Sequence, residues 1–344
     1  MASLLERKLI VVTGKGGTGK TTVACALGLL GARRGLRTVV VELGDQHRLP
    51  VLFASHQADS EGPRRDFARP EPQPPEAGVE VELEAGLWST SIDPDRALLE
   101  WLRTLAGRLS ARMLAASSTF HYFAAAAPGA KELVTMVKLL RLCESAYDLV
   151  VLDAPATGHA LAMLGSPQTF STIVRVGPLA DQAQGVRDLL GDRARCAYLA
   201  VAQGTEMAVT ETLELEEGLR RQLDRDLDAV LVNGVLPRRF TREEMGRIDG
   251  VAPLASGATS ASDSSADVRA EDVLAGDVAI DRAVRAARAT YERTRLQQSQ
   301  IARLRRQRFA DGRPPAVLTI PFVFTPELDL GAIREIAVSL ERKL

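Results

Sequence analysis

From Gly14 to Thr21 the chain reads G-K-G-G-T-G-K-T, and each residue type in that string is one a phosphate chain can use. Gly14, Gly16, Gly17 and Gly19 let backbone N–H groups converge on phosphate oxygens. Lys20 supplies a cation for the β and γ oxygens, and the Thr21 hydroxyl a ligand for Mg2+. Thr18 and Thr22 complete the set expected around the nucleotide. The string satisfies G-x-x-x-x-G-K-[ST], which needs a strand before it and a helix after it. Lys15 is the surplus residue, because an ordinary loop of this kind has no use for a cation directly after its first glycine.

The elements required to position these residues are legible. Residues 8–13 form a short apolar, β-branched run that stops at Gly14, the pattern of a buried parallel strand. From 20 to 34 apolar residues recur at helical spacing and Gly35 terminates them, and 37–42 is a second buried strand. That makes one βαβ unit. Further strands are predicted at 87–92, 147–153 (ending in Asp153), 197–202, 227–233 and 316–321. Helical patterns fill 94–144, 168–190, 206–225, 280–308 and 330–344. The alternation predicts an α/β fold: a mostly parallel P-loop NTPase sheet with helices on both faces and an inserted helical subdomain. The expected organisation is a single domain over 1–344, with the subdomain at roughly 93–146 and 167–192. Flexible loops are expected at 54–78, rich in Pro, Glu and Arg, and at 252–267, rich in Ser, Ala and Asp.

Composition narrows the function class. A net charge of −1 gives no field that would draw nucleic acid. Cys25, Cys143 and Cys196 stand alone, which argues against a disulfide framework or a structural zinc site. No apolar run approaches the ~20 residues of a transmembrane segment, so a cytoplasmic protein is expected.

The string G-K-G-G-x-G-K-T-T resembles the deviant P-loop shared by arsenical-pump ATPases, tail-anchored-protein-targeting ATPases, Min/Par positioning ATPases and the nitrogenase iron protein. In that group the early lysine reaches across a two-fold dimer to the partner's nucleotide, as an arginine finger does elsewhere. The resemblance therefore implies that Lys15 is catalytic in a nucleotide-sandwich dimer. Residues 153–164, D-A-P-A-T-G-H-A-L-A-M-L, are similar to the switch II of the arsenical-pump and tail-anchored-targeting family. That likeness implies that Asp153 holds the Mg2+ shell and that Thr157, Gly158 and His159 sense the γ-phosphate. Glu206, followed by Glu211 and Thr212, resembles the family's P-E…E-T helix, with Thr205 in place of the proline. The V-N-G at 232–234 is similar to the strand end whose asparagine, here Asn233, reads adenine.

The chain also departs from that family. Counted without gaps from the P-loop, the water-orienting aspartate of switch I falls on Gly44. A one-residue shift places it on Asp45, and Glu42 is the other nearby carboxylate. The zinc-binding and metalloid-binding cysteines of family members are absent. The resemblance implies an ATP- and Mg2+-dependent hydrolase, a homodimer or a heterodimer with a paralogous ATPase, that couples turnover to a client or membrane-protein partner. Two other readings stand beside it: a non-hydrolysing nucleotide-gated subunit of a heterodimer, and a Min/Par-type positioning ATPase. The apolar residues of 98–140 either line a client groove or pack on one another, and the arginines of 280–308 are read as a solvated face.

Overall fold

The computed structural model describes residues 4–44, 47–60, 78–101, 129–173, 178–251, 267–309, 312 and 314–344. Its frame is an eight-stranded sheet, and the α/β class expected from the sequence is the one observed. In chain order the strands are β1 (Leu9–Gly14), β2 (Thr38–Leu43), β3 (Val81–Glu84), β4 (Leu87–Ile92), β5 (Leu149–Ala156), β6 (Cys196–Gln203), β7 (Ala229–Val235) and β8 (Val317–Pro321). Across the sheet the order is β3-β4-β2-β5-β1-β6-β7-β8. Only β3 runs antiparallel, against β4. Every residue of β1 is buried, because helices cover this central strand on both faces.

The helices divide between those faces. On one side lie α1 (Lys20–Arg33), α2 (Arg48–Ser60) and, last in the chain, α9 (Leu330–Glu341). Ala24, Leu27 and Leu30 of α1 pack there with Ile10, Val12 and Val151 of the sheet and with Ile333 and Leu340 of α9. Gly28 and Gly31 let α1 lie close to the strands: a Cβ at Gly31 would press on Thr38 and Leu149. The opposite side carries α3 (Ala130–Glu144), α4 (Thr157–Ile173), α5 (Pro178–Gly191) and α6 (Glu206–Leu223). Two more helices, α7 (Arg242–Val251) and the long α8 (Asp267–Arg306), fill the connection between β7 and β8.

The structure modifies several expectations. Helix α2 runs through Ser60, so residues 54–60, expected in a loop, are helical; residues 61–77 and 252–266, nearly all the rest of the two expected loops, lie outside the described residues. Helix α4 begins directly at the end of β5 and continues through Pro167, where no helix had been expected before 168. Of the apolar stretch at 98–140, residues 102–128 lie outside the described residues. In the described part, Leu133, Met136, Val137 and Leu140 of α3 are buried against α4, α5 and the sheet. Those residues pack inward and offer no groove.

Candidate nucleotide site

The parallel register brings the site's residues to one edge. Val12 of β1 lies opposite Asp153 of β5, and Gln203 of β6 opposite Asn233 of β7. The P-loop thus emerges between two strand ends that carry polar side chains, at the C-terminal edge where ligands of open α/β sheets bind.

Local geometry explains the glycines. Gly14, at φ 140, lies so close to the Val201 carbonyl that no side chain fits there. Gly19, at φ 93, precedes α1, and a Cβ on it would strike the Asn233 amide nitrogen. That nitrogen donates to the Thr18 carbonyl at 2.9 Å, tying the end of β7 to the loop. The Gln203 amide donates to the Gly17 carbonyl at 3.4 Å, and the Thr18 hydroxyl to the Lys15 carbonyl at 2.9 Å. With the loop held open by these bonds, the backbone N–H groups at the start of α1 form a cradle free of side chains, which fits a phosphate chain.

Lys20 and Asp153 sit together inside the site. The Lys20 ammonium donates to the Lys15 carbonyl at 3.1 Å. Burial lowers its pKa, while the nearby Asp153 carboxylate works against that shift. The Thr21 hydroxyl donates to Asp153 Oδ2 at 2.6 Å. Burial raises the pKa of Asp153; the Thr21 bond and the Lys20 charge pull it back down. A hydroxyl and a carboxylate in contact beside a phosphate cradle form an oxygen donor set that suits Mg2+. Among the described residues, no cluster of three His, Cys, Asp or Glu side chains could hold a metal by itself.

Other predicted residues fall where sequence alone could not put them. Lys15 reaches α6, where it forms an ion pair with Glu211 and lies 2.8 Å from the Met207 sulfur. Glu206 opens α6 at the wall of the cleft described below, capped by Thr205, whose hydroxyl accepts from the Ala208 N–H. His159 and Gly158 are exposed at the start of α4. Asp45 lies outside the described residues. Glu42, the other candidate of that region, is buried, and its two oxygens accept from the N–H groups of Arg48 and Leu49 at 3.1 and 3.3 Å. It caps the N-terminus of α2. Burial pushes its pKa up to about 7 against the pull of those two N–H groups, and Asp153 adds to the rise.

Next to the P-loop a cleft of about 630 Å³ opens between Thr18, Asn233, Phe322 and the long helix α8. Its size suits a nucleoside. Sequence reading missed the contribution of α8, whose arginines had pointed to a solvated face. The signal was present in Arg293, Leu296, Gln297 and Gln300, spaced to share one helical face, and all four line the cleft.

The sequence model described as anion-transporting ATPase matches residues 7–179, half of the chain, and that span contains the P-loop, Glu42 and the β5–α4 junction. The chain belongs to the anion-transporting ATPase family. Among its relatives, ATPase BagA of Mycobacterium tuberculosis is 29% identical over 252 residues, covering 70% of this chain and 68% of that protein. ATPase GET3C of Arabidopsis thaliana is 22% identical over 280 residues, 69% of each chain. ATPase ASNA1 homolog 1 of Paramecium tetraurelia is 31% identical over 161 residues, 46% of this chain and 44% of the relative. Membership in this family fits an arrangement in which Thr21, Asp153 and the glycine cradle already face one another. No helix among the described residues is long and apolar enough to cross a membrane.

Proposed function

We propose that this protein is a Mg2+-dependent ATPase that works as a dimeric switch, binding a partner or client protein in one nucleotide state and releasing it in another. The observation that carries this reading is the placement of the two lysines. Lys20 is half-buried beside Asp153 and serves the nucleotide of its own chain. Lys15 points out of the loop onto the surface of α6, with side chains of Lys15 and Glu211 32% and 30% exposed. A pair that exposed is worth about 0–1 kcal/mol, so Lys15 can exchange Glu211 for a phosphate oxygen at little cost. A second copy facing this surface would bring its nucleotide within reach of Lys15, where a cation stabilises charge developing during phosphoryl transfer. Bound Mg2+, held by Thr21 and through water by Asp153, would neutralise charge on the β and γ oxygens.

Coupling to a partner has a physical route. Gly218 of α6 packs directly on Leu161 of α4, where an added Cβ would come within 2.4 Å of the leucine side chain. Helix α4 starts at the end of β5, next to Asp153, and packs on α3 and α5. A shift of α4 on γ-phosphate binding would therefore be passed to the whole helical layer.

One observation favours a second reading, a nucleotide-gated subunit without turnover. Gly44 stands where the family's water-orienting carboxylate is expected, and the adjacent strand-end carboxylate, Glu42, is engaged in capping α2. Steady-state ATP turnover measured alongside the molecular mass in solution separates the two. Turnover with Mg2+ and a mass that doubles on ATP binding are expected; doubling without turnover would select the gated subunit.

A further inference from the structure

The cleft beside the P-loop contains a polar group that the protein itself leaves unsatisfied. Gln297 and Gln300 both line it from α8, one turn apart. Gln297 has both ends of its amide engaged: the oxygen accepts from the Leu236 N–H at 3.0 Å, and the nitrogen donates to the Gly234 carbonyl at 3.1 Å. Its stem packs on Gly204, where an added Cβ would come within 3.0 Å of it. These contacts fix α8 against the ends of β6 and β7. Gln300 is thereby held at the cleft wall, yet its amide oxygen is buried and finds no partner among the described residues.

Leaving a buried carbonyl oxygen unpaired is unfavourable by roughly 1–3 kcal/mol. The terminal torsion of glutamine is soft, so the oxygen can turn toward the cleft without leaving a staggered side chain. What it then requires is a donor. Asn233, also on the cleft wall, spends one of its two amide hydrogens on the Thr18 carbonyl and makes no bond to Gln300. A molecule that fills the cleft can supply one.

We propose that Gln300 is a nucleoside-reading residue: its amide oxygen accepts a hydrogen bond from the nucleoside part of the bound nucleotide, either the amino group of adenine or a ribose hydroxyl. This rests on the nucleotide-site reading above and adds to it a specificity-determining position on α8. The long helix then becomes a wall of the nucleotide site.

The test is equilibrium binding of ATP, ITP, 2′-deoxyATP and 3′-deoxyATP to the wild type, Gln300→Leu and Lys20→Ala, with thermal melting of the nucleotide-free proteins. ITP lacks the amino group, and each deoxynucleotide lacks one hydroxyl. Wild type should disfavour one analogue by about three- to tenfold, the worth of one ordinary hydrogen bond. Gln300→Leu should weaken ATP by that same factor and leave the disfavoured analogue unchanged, which identifies the donor. Without nucleotide, Gln300→Leu should melt at or above the wild-type temperature, because an unpaired buried oxygen has been removed. Equal discrimination by wild type and Gln300→Leu for all three analogues would overturn the proposal. So would a lower melting temperature with selectivity unaltered, which would make Gln300 a packing residue. If the wild type bound no nucleotide, or Lys20→Ala bound as the wild type does, the nucleotide-site reading itself would fall.

Discussion

Lys15 and Lys20 have the same chemistry and lie five positions apart, yet the structure gives them opposite surroundings. Lys20 faces Asp153 inside the site, and Lys15 pairs with Glu211 outside it. Lys20→Ala should abolish ATP binding, since the other P-loop cation, Lys15, is turned away from its own chain's phosphates onto Glu211. Lys15→Ala should keep nucleotide affinity within about threefold and lower kcat by 10²-fold or more, as expected of an interaction made only in the transition state. Calorimetry and steady-state turnover on both variants check this, and equal loss of affinity would remove the distinct role of Lys15. Glu42 gives a prediction in pH. Its folded pKa of about 7 lies above the ordinary glutamate value, so the native state holds a proton that the unfolded chain has lost. The stability it contributes is fully present below the ordinary value and is lost as pH rises through 7. Glu42→Gln keeps one acceptor and cannot ionise. Its stability deficit, about 1 kcal/mol from the lost capping bond, should therefore be largest near pH 5 and shrink by pH 8 in urea titrations. A deficit independent of pH would mean that Glu42 does not titrate in this range.

At the scale of elements, α6 holds Lys15 at one end and grips α4 through Gly218 further along. Gly218→Leu should force the two helices apart at Leu161 and destabilise the fold by about 1–3 kcal/mol. ATP affinity should remain, because the P-loop is built on β1, β7 and α1 instead. Nucleotide-dependent changes in hydrogen exchange over α3 and α5 should fade, and their persistence would show that α6 does not transmit movement. How far such elements could be read from sequence depended on whether their signal was local. The strands β1, β2 and β5 were legible because each contains an unbroken apolar, valine-rich run, as central parallel strands do. Strand β3 was not: V-E-L-E is short and half charged, and it is held by its antiparallel partner. Helix α7, R-E-E-M-G-R-I-D-G-V, is polar nearly all round and carries little apolar period. The P-loop, Thr21 and Asp153 were legible because a contiguous motif fixes each. The Lys15–Glu211 pair and the Gln300 wall join residues far apart in sequence, and no local pattern encodes them.

For the whole molecule the open issue is how one chain completes a reaction site whose early lysine faces outward. On the proposed dimer reading, a second copy placed over α6 and the P-loop would supply the missing cation to each nucleotide, and dimerisation would then depend on ATP in both. Under that reading switch I decides how long the closed state lasts. Each oxygen of Glu42 already holds one N–H of α2, so turning the carboxylate toward an attacking water would loosen its hold on that helix. Asp45 is the other carboxylate that the sequence offers beside Gly44. Asp45→Asn should bind ATP as the wild type does, turn over at least 10²-fold more slowly, and stay at twice the 37.1 kDa protomer mass for as long as ATP is present. Glu42→Gln should turn over within about threefold of the wild type, because its role is to hold α2. Light scattering during an ATP chase reads the dimer lifetime, and phosphate release reads the rate. If both variants hydrolyse ATP at the wild-type rate, the water is oriented from elsewhere, and the exposed Gly158–His159 turn at the start of α4 becomes the next segment to substitute.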